Sequence, residues 1–222
     1  VVAERFAIDG GLYEAVLERD WSALAAGPLQ NPLMHLAEAL LATLAARPDA
    51  KAQAALEQLC AGMQRRFVEP RHGVMMEKPL GAVDNWFEPG HQFEWLFLLG
   101  SSPLLKGTPL HASLERAFAY AEQVGVDDRT ASVSGMLDLE GGVRDATQRI
   151  WAQAEYLRAL TLRPASEPRL QRQLEALQQH FLHPGGWYEC LDANASVSRR
   201  DMPSTTPYHL ATCYRGLAQY LG

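Results

Sequence analysis

The chain has 222 residues, 47% of them hydrophobic and 21% charged, with a formal net charge of -6. This is globular composition, which excludes a disordered tail, a collagen-like fibre and a disulfide-dense mini-protein, and the acidic balance argues against nucleic acid, whose phosphates call for clustered Lys and Arg. No apolar run approaches the roughly 20 residues that span a bilayer, and three scattered cysteines (Cys60, Cys190, Cys213) without a CxxC pattern point to a reduced, cytoplasmic compartment.

In chain order, the opening VVAERFAIDGG reads as the last turns of a helix running into a glycine stop. Neither an initiator Met nor a signal-peptide pattern precedes it, so the chain is expected to begin in mid-element. Glycine-led loops then recur at Gly11, Gly73, Gly135 and Gly186, at spacings of 62, 62 and 51 residues. Each leads into a short extended stretch (12–18, 74–76, 136–139 and 187–191) and then a helix. His35, His91, Trp151 and His209 fall near the starts of those helices, 56, 60 and 58 residues apart. Such a period marks stacked supersecondary units.

Two kinds of helix alternate. Residues 33–46, 89–100, 146–162 and 207–221 are apolar around most of their circumference (LMHLAEALLATLAA, HQFEWLFLLG) and are expected to be buried on several sides. Residues 50–67, 111–124 and 167–181 are amphipathic, as in the stripe Leu170, Leu174, Leu177 and Phe181, and form an outer layer. An inner ring buried by an outer one is an all-α, α/α toroid. Its extended segments pair as short β-hairpins at the mouth where the inner helices begin.

Three histidines occupy equivalent places: His35 in NPLMHLAE, His91 in EPGHQFEW and His209 in PSTTPYHL. Each could be a hydrogen-bonded packing residue, but three at one mouth suit proton transfer near neutrality. Glu38 and Glu94 follow His35 and His91 by three residues, on the same helical face. A carboxylate there either sets the tautomer and raises the pKa of its histidine or joins it in binding a divalent ion. Among the aromatics, Trp86, Trp151 and Trp187 either pack in the core or stack on a sugar ring, and Asn31, Arg149, Gln153 and Glu189 could hydrogen-bond its hydroxyls. No P-loop, GxGxxG or GxSxG pattern is present, leaving nucleotide-cofactor and serine-hydrolase chemistry without support.

NPLMHLAEALLAT, EPGHQFEWLFLL, RIWAQAEYLRAL and PSTTPYHL, in that order and spacing, resemble the N-acylglucosamine 2-epimerase superfamily, and PSTTPYHL its mannose isomerase branch. The resemblance implies a barrel of about six helical hairpins that isomerises or epimerises sugars with no redox cofactor; no metal is expected, because the two HxxE pairs come from different units and no further ligand motif accompanies them. It implies that His91 and His209 are paired acid/base catalysts, that Glu94 accompanies the first, and that His35 and Asn31 stand on the substrate side with Trp151. The family run around Trp151 has Pro and Thr where Ala152 and Ala154 stand here. The family's substrate-binding arginine lies before the NPxMH motif, and nothing in this chain corresponds to it.

The expected activity is therefore a cofactor-independent aldose–ketose isomerase of mannose–fructose type working through a cis-enediolate. A sugar 2-epimerase and a non-catalytic carbohydrate-binding toroid are the alternatives. The expected partner is a small sugar, with no nucleic acid or membrane, and a homodimer is allowed. With a repeat near 58 residues, 222 residues amount to just under four hairpins. Residues 1–222 are thus expected to be one α/α barrel domain lacking its N-terminal portion, because an open ring would expose apolar helix flanks.

Overall fold

Seven α-helices alternate between the two kinds of surface that the patterning predicts, in a computed structural model that describes residues 2–22 and 27–222. The inner set is α1 (Gln30–Ala46), α3 (Pro89–Gly100), α5 (Ile150–Leu160) and α7 (Thr206–Leu221). The outer set is α2 (Ala50–Arg66), α4 (Pro109–Gly125) and α6 (Glu167–Ala176), the last continued by a π-helical turn, Leu177–Phe181. Asp49 and Thr108 cap α2 and α4 with side-chain oxygens on first-turn amides, satisfying donors that a helix start leaves free. Pro89 and Pro109 open α3 and α4, where a missing N–H costs least.

Burial follows position in the arc. In α3 and α5 almost every residue is buried, including Phe93, Trp95, Leu96, Leu99, Leu157 and Leu160. Each such side chain stabilises the fold by roughly 1.5–3 kcal/mol. Phe93, Phe118 and Tyr156 tie α3, α4 and α5 together, with ring centroids 4.6–6.2 Å apart. The expectation of burial on several sides does not hold for α1 and α7. Their apolar residues form one buried stripe, Leu33, Met34 and Ala37 in α1 and Leu210, Cys213 and Leu217 in α7, because α1 has its main inner neighbour in α3 alone and α7 in α5 alone.

The loops pair as the extended stretches predict, with two differences. β1 (Ala7–Ile8) pairs with β2 (Leu12–Tyr13), β3 (Met136–Leu137) with β4 (Val143–Asp145), and β6 (Leu182–His183) with β7 (Gly186–Trp187). Residues 74–76 form no hairpin, only a bridge from Met75 to Val68. The strand after Trp187 joins a three-stranded sheet in which β8 (Cys190–Leu191) lies between β5 (Gln148–Arg149) and β9 (Val197–Arg199). That pairing takes Gln148 and Arg149 out of the predicted helix, so α5 starts at Ile150 rather than 146. The first residues differ from a helix ending at a glycine stop: a π-helical turn (Val2–Phe6) leads into β1, and Gly10 and Gly11, at positive φ, form the turn between β1 and β2; Val1 lies outside the described residues.

Two devices recur with the repeat and fix loop to helix. Gly11 and Gly73 have φ near +80°, and a Cβ on either would fall within 2.5 Å of a backbone oxygen of an outer helix, Gln58 or Ser113. Only glycine combines that conformation with that approach. The fourth residue of α3 and of α5 is a buried glutamine. Gln92 holds both the N–H and the C=O of Met75, and Gln153 both those of Val133. Gln153 is thereby a loop anchor, not one of the residues offered to a ligand. No helix among the described residues is long and apolar enough to cross a membrane.

Candidate active site

The first two turns of all four inner helices surround one cavity of about 280 Å³. α1 contributes Asn31 and His35, α3 contributes His91 and Glu94, α5 contributes Trp151, and α7 contributes Thr206 and His209. Glu88, Arg149, Glu189 and Thr205, at or before those helix starts, complete the wall. Four helix N-termini therefore face one space, and their partial positive charges favour negative charge inside it.

His91 is buried, and its Nδ1 lies 2.7 Å from Glu77 Oε1. The carboxylate bonded to this histidine is thus Glu77, from the loop before α3, and not Glu94 three residues onward. Burial by itself would lower the pKa of His91. The charge and hydrogen bond of Glu77, aided by Glu88 and Glu94, override it and raise the value to about 9. At neutral pH the ring is an imidazolium. His209 has the same architecture, its Nδ1 2.8 Å from Oε1 of the fully buried Glu155. The other oxygen of Glu155 accepts from Arg158 Nη1 at 3.1 Å. In both histidines Nδ1 is committed to a carboxylate, and Nε2 is the nitrogen left for the cavity.

Trp151 stands between them, its ring centroid 5.0 Å from that of His91 and 5.4 Å from that of His209. Gly90 makes this possible, since a Cβ there would stand 2.7 Å from the Trp151 ring and 2.8 Å from Ala152 Cβ. Gly90→Ala is expected to cost about 1–3 kcal/mol by overpacking. A lower Tm together with a shifted tryptophan emission would register the displaced indole, and parental values of both would refute it.

Glu94 has no exposed surface, and neither of its carboxyl oxygens has a hydrogen-bond partner. Burial, reinforced by the charge of Glu155, raises its pKa well above the ordinary carboxyl value; in its protonated form such a group donates as well as accepts. His35, the more exposed histidine, has Nδ1 3.4 Å from Glu38 Oε2. Glu38 also accepts from the Tyr208 hydroxyl, joining α1 to α7. Burial pushes Glu38 up, but the hydrogen bonds from His35 and Tyr208 outweigh it and hold the carboxyl below its usual value.

The two HxxE pairs converge: potential ligand atoms of His35, Glu38 and Glu94 lie within 4.8 Å of one another. Glu94, Glu155 and His209 form a second such group, and Glu77, Glu88 and His91 a third. In each the Nδ1 of the histidine already faces a carboxylate.

Of the tryptophans expected at the site, only Trp151 lines the cavity. Trp86 lies outside the lining, under the Lys78 ammonium at 4.7 Å. Trp187 also lies outside it, donating through Nε1 at 3.1 Å to Glu189, which accepts from Thr206 as well. Glu77, Glu155 and Arg158 were not singled out in the sequence, though signals for them exist. Glu155 follows Trp151 by one helical turn, and Glu77, like Glu189, stands within four residues of a loop glycine.

Fold and site together define an α/α toroid built around carboxylate-bonded histidines. A model of the N-acylglucosamine 2-epimerase (GlcNAc 2-epimerase) family matches residues 3–213, and the chain belongs to that family. It is 30% identical to a mannose-6-phosphate isomerase of Rhizobium meliloti over 81% of this chain and 52% of that protein. It is 26% identical to a D-mannose isomerase of Marinomonas mediterranea over 93% of this chain and 60% of that one. The chain thus spans between half and two-thirds of the length of these relatives. A D-mannose isomerase structure superposes with a TM-score of 0.81 at 22% identity, covering 98% of this chain and 63% of that one. The cellobiose 2-epimerase of Bacillus thermoamylovorans gives 0.83 at 16%, with the same coverage. Both likenesses are of fold.

Proposed function

We propose that the protein is a sugar isomerase that interconverts an aldose and a ketose, of mannose–fructose type, by proton transfer between His91, His209 and the open-chain substrate. The observation that carries this reading is the pairing of the two histidines across Trp151, each with Nδ1 on a buried carboxylate and Nε2 free for the cavity. The chemistry starts from the charge on His91. His91 enters charged and gives its proton to the aldehyde oxygen, while His209 takes the proton from C2. The enediolate that develops is neutralised by the first transfer and faces the helix N-termini. Glu155 stabilises the imidazolium formed on His209. When that proton goes to C1 and the O2 proton passes to His91, a ketose results and both groups are reset. Delivery to the opposite face of C2 would instead give the epimer.

The cavity, about 280 Å³, lies just below the roughly 300–1,000 Å³ of ligand pockets, which suits a small sugar. Its wall sets Arg149 and the charged His91 beside the carboxyl groups of Glu88, Glu94 and Glu189, so the assay compares a free hexose with its phosphate ester. Incubation with D-mannose in deuterated water tests the proposal. Fructose labelled at C1 is the expected product. Glucose labelled at C2 would establish the epimerase instead, and sugar binding without turnover would leave a carbohydrate-binding toroid.

A further inference from the structure

Behind His91 lies a chain of buried polar groups that never reaches the cavity. Trp95 Nε1 donates to Gln30 Oε1 at 2.7 Å, Gln30 Nε2 stands 3.2 Å from both Glu77 oxygens, and Glu77 Oε1 faces His91 Nδ1 at 2.7 Å. The backbone N–H of Gln30 also donates to the Glu77 carbonyl, at 3.2 Å. Trp95 and Gln30 are fully buried and Glu77 nearly so.

The chain has a direction, because an indole N–H can only donate. Its bond pins the amide oxygen of Gln30 toward α3, which turns the amide N–H groups onto Glu77. Rotating the amide by half a turn would set its oxygen against the carboxylate and its NH₂ against the indole N–H. Both are donor–donor or acceptor–acceptor clashes without water to relieve them. Glu77 is therefore met by donors from Gln30 and His91 and is held as the acceptor.

We propose that Gln30 and Trp95 are positioning residues for His91. Trp95 sets the sense of the Gln30 amide, and Gln30 keeps the Glu77 carboxylate aligned on Nδ1, so that Nε2 is the atom that exchanges protons with the substrate. The proposal rests on the isomerase reading for its kinetic consequence but not for its geometry. The other titratable groups facing His91 and the cavity are Glu88 before α3, Glu94 of α3, Arg149 before α5, Glu189 between β7 and β8, His35 of α1 and His209 of α7.

Three variants of the full chain test it. Trp95→Phe removes the indole N–H and part of the ring system while keeping an aromatic ring, and Gln30→Met keeps the volume while deleting the amide. Each is expected to lower kcat at least tenfold with KM changed less than threefold, on the scale of a lost hydrogen bond to a charged group. Gln30→Glu supplies the diagnostic pH profile. While protonated, the introduced carboxyl donates to Glu77, so activity near the parental level is expected at acidic pH. It is lost as pH rises and the carboxyl ionises. The imidazole ¹⁵N shifts of His91 provide a readout independent of turnover, with the Nδ1–H signature present in the parent and lost or averaged in Trp95→Phe and Gln30→Met. If the parent turns over no sugar but these shifts respond, the isomerase reading fails and the relay stands. Unchanged shifts, kcat and pH profile in folded variants overturn the relay. Should Trp95→Phe not fold, the two Gln30 variants decide by the same criteria.

Discussion

Asparagine in place of His91 or His209 is expected to lower turnover of D-mannose by about 10²–10⁴-fold, the range over which a positioned acid or base contributes. Asparagine is the informative replacement because its amide N–H can stand where Nδ1–H stood. Glu77 or Glu155 then keeps a donor, while the nitrogen that titrates is gone. A fold kept intact and a rate that collapses would isolate the proton-transfer role from the packing role. The double variant should be little slower than either single one, since two groups that act as a unit are strongly non-additive. Stopped-assay measurement of fructose against circular dichroism distinguishes the outcomes. Single variants that retain more than about a tenth of parental kcat would sink the assignment, because no lone acid or base removed from the proposed step should leave so much.

The largest effect on stability is expected at Glu155. This residue is completely buried, bonds His209 through one oxygen and, through the other, forms an ion pair with Arg158, which is itself only 3% exposed. Arg158 leaves α5 over the ring of Phe97, at 4.0 Å, and its Nε has no acceptor. Glu155→Ala strands that guanidinium away from water, and breaking a buried pair in this way costs about 3–5 kcal/mol. Against a typical total of about 5–15 kcal/mol, that is enough to unfold a marginal protein at moderate temperature. Glu94 offsets part of the loss, because removing the Glu155 charge lowers one cause of its raised pKa and lets it ionise toward Arg158. Joining Arg158→Met to Glu155→Ala should therefore recover stability relative to Glu155→Ala alone. Urea denaturation of the three chains measures this. A single variant within 1 kcal/mol of the parent would show that water already reaches the pair.

The helices were legible because their patterns are local. LMHLAEALLATLAA and the stripe from Leu170 to Phe181 announce an inner and an outer helix by how much of the circumference is apolar, and the glycine spacing shows that the unit repeats. The boundary of α5 was not legible, since Gln148 and Arg149 leave the helix only to meet a strand more than forty residues away. Nor was the one-sided burial of α1, which depends on its neighbours rather than on its own composition.

The site divides along the same line. By itself the sequence placed His35, His91, Trp151 and His209 at equivalent helix starts, and with them the expectation of a shared mouth; a residue's position in a repeat is a one-dimensional property. Which carboxylate serves which histidine was decided only in the tertiary structure. Spacing favoured Glu94 for His91, because three residues along a helix share a face, yet Glu94 lies fully buried with neither oxygen bonded while Glu77 arrives from a loop at 2.7 Å. The same holds for Trp86 and Trp187, whose chemistry suits a sugar but whose loops carry them out of the cavity wall. A short hydrogen bond between buried groups is set by how helices and loops pack to within a few tenths of an ångström, and no periodicity along the chain encodes that distance.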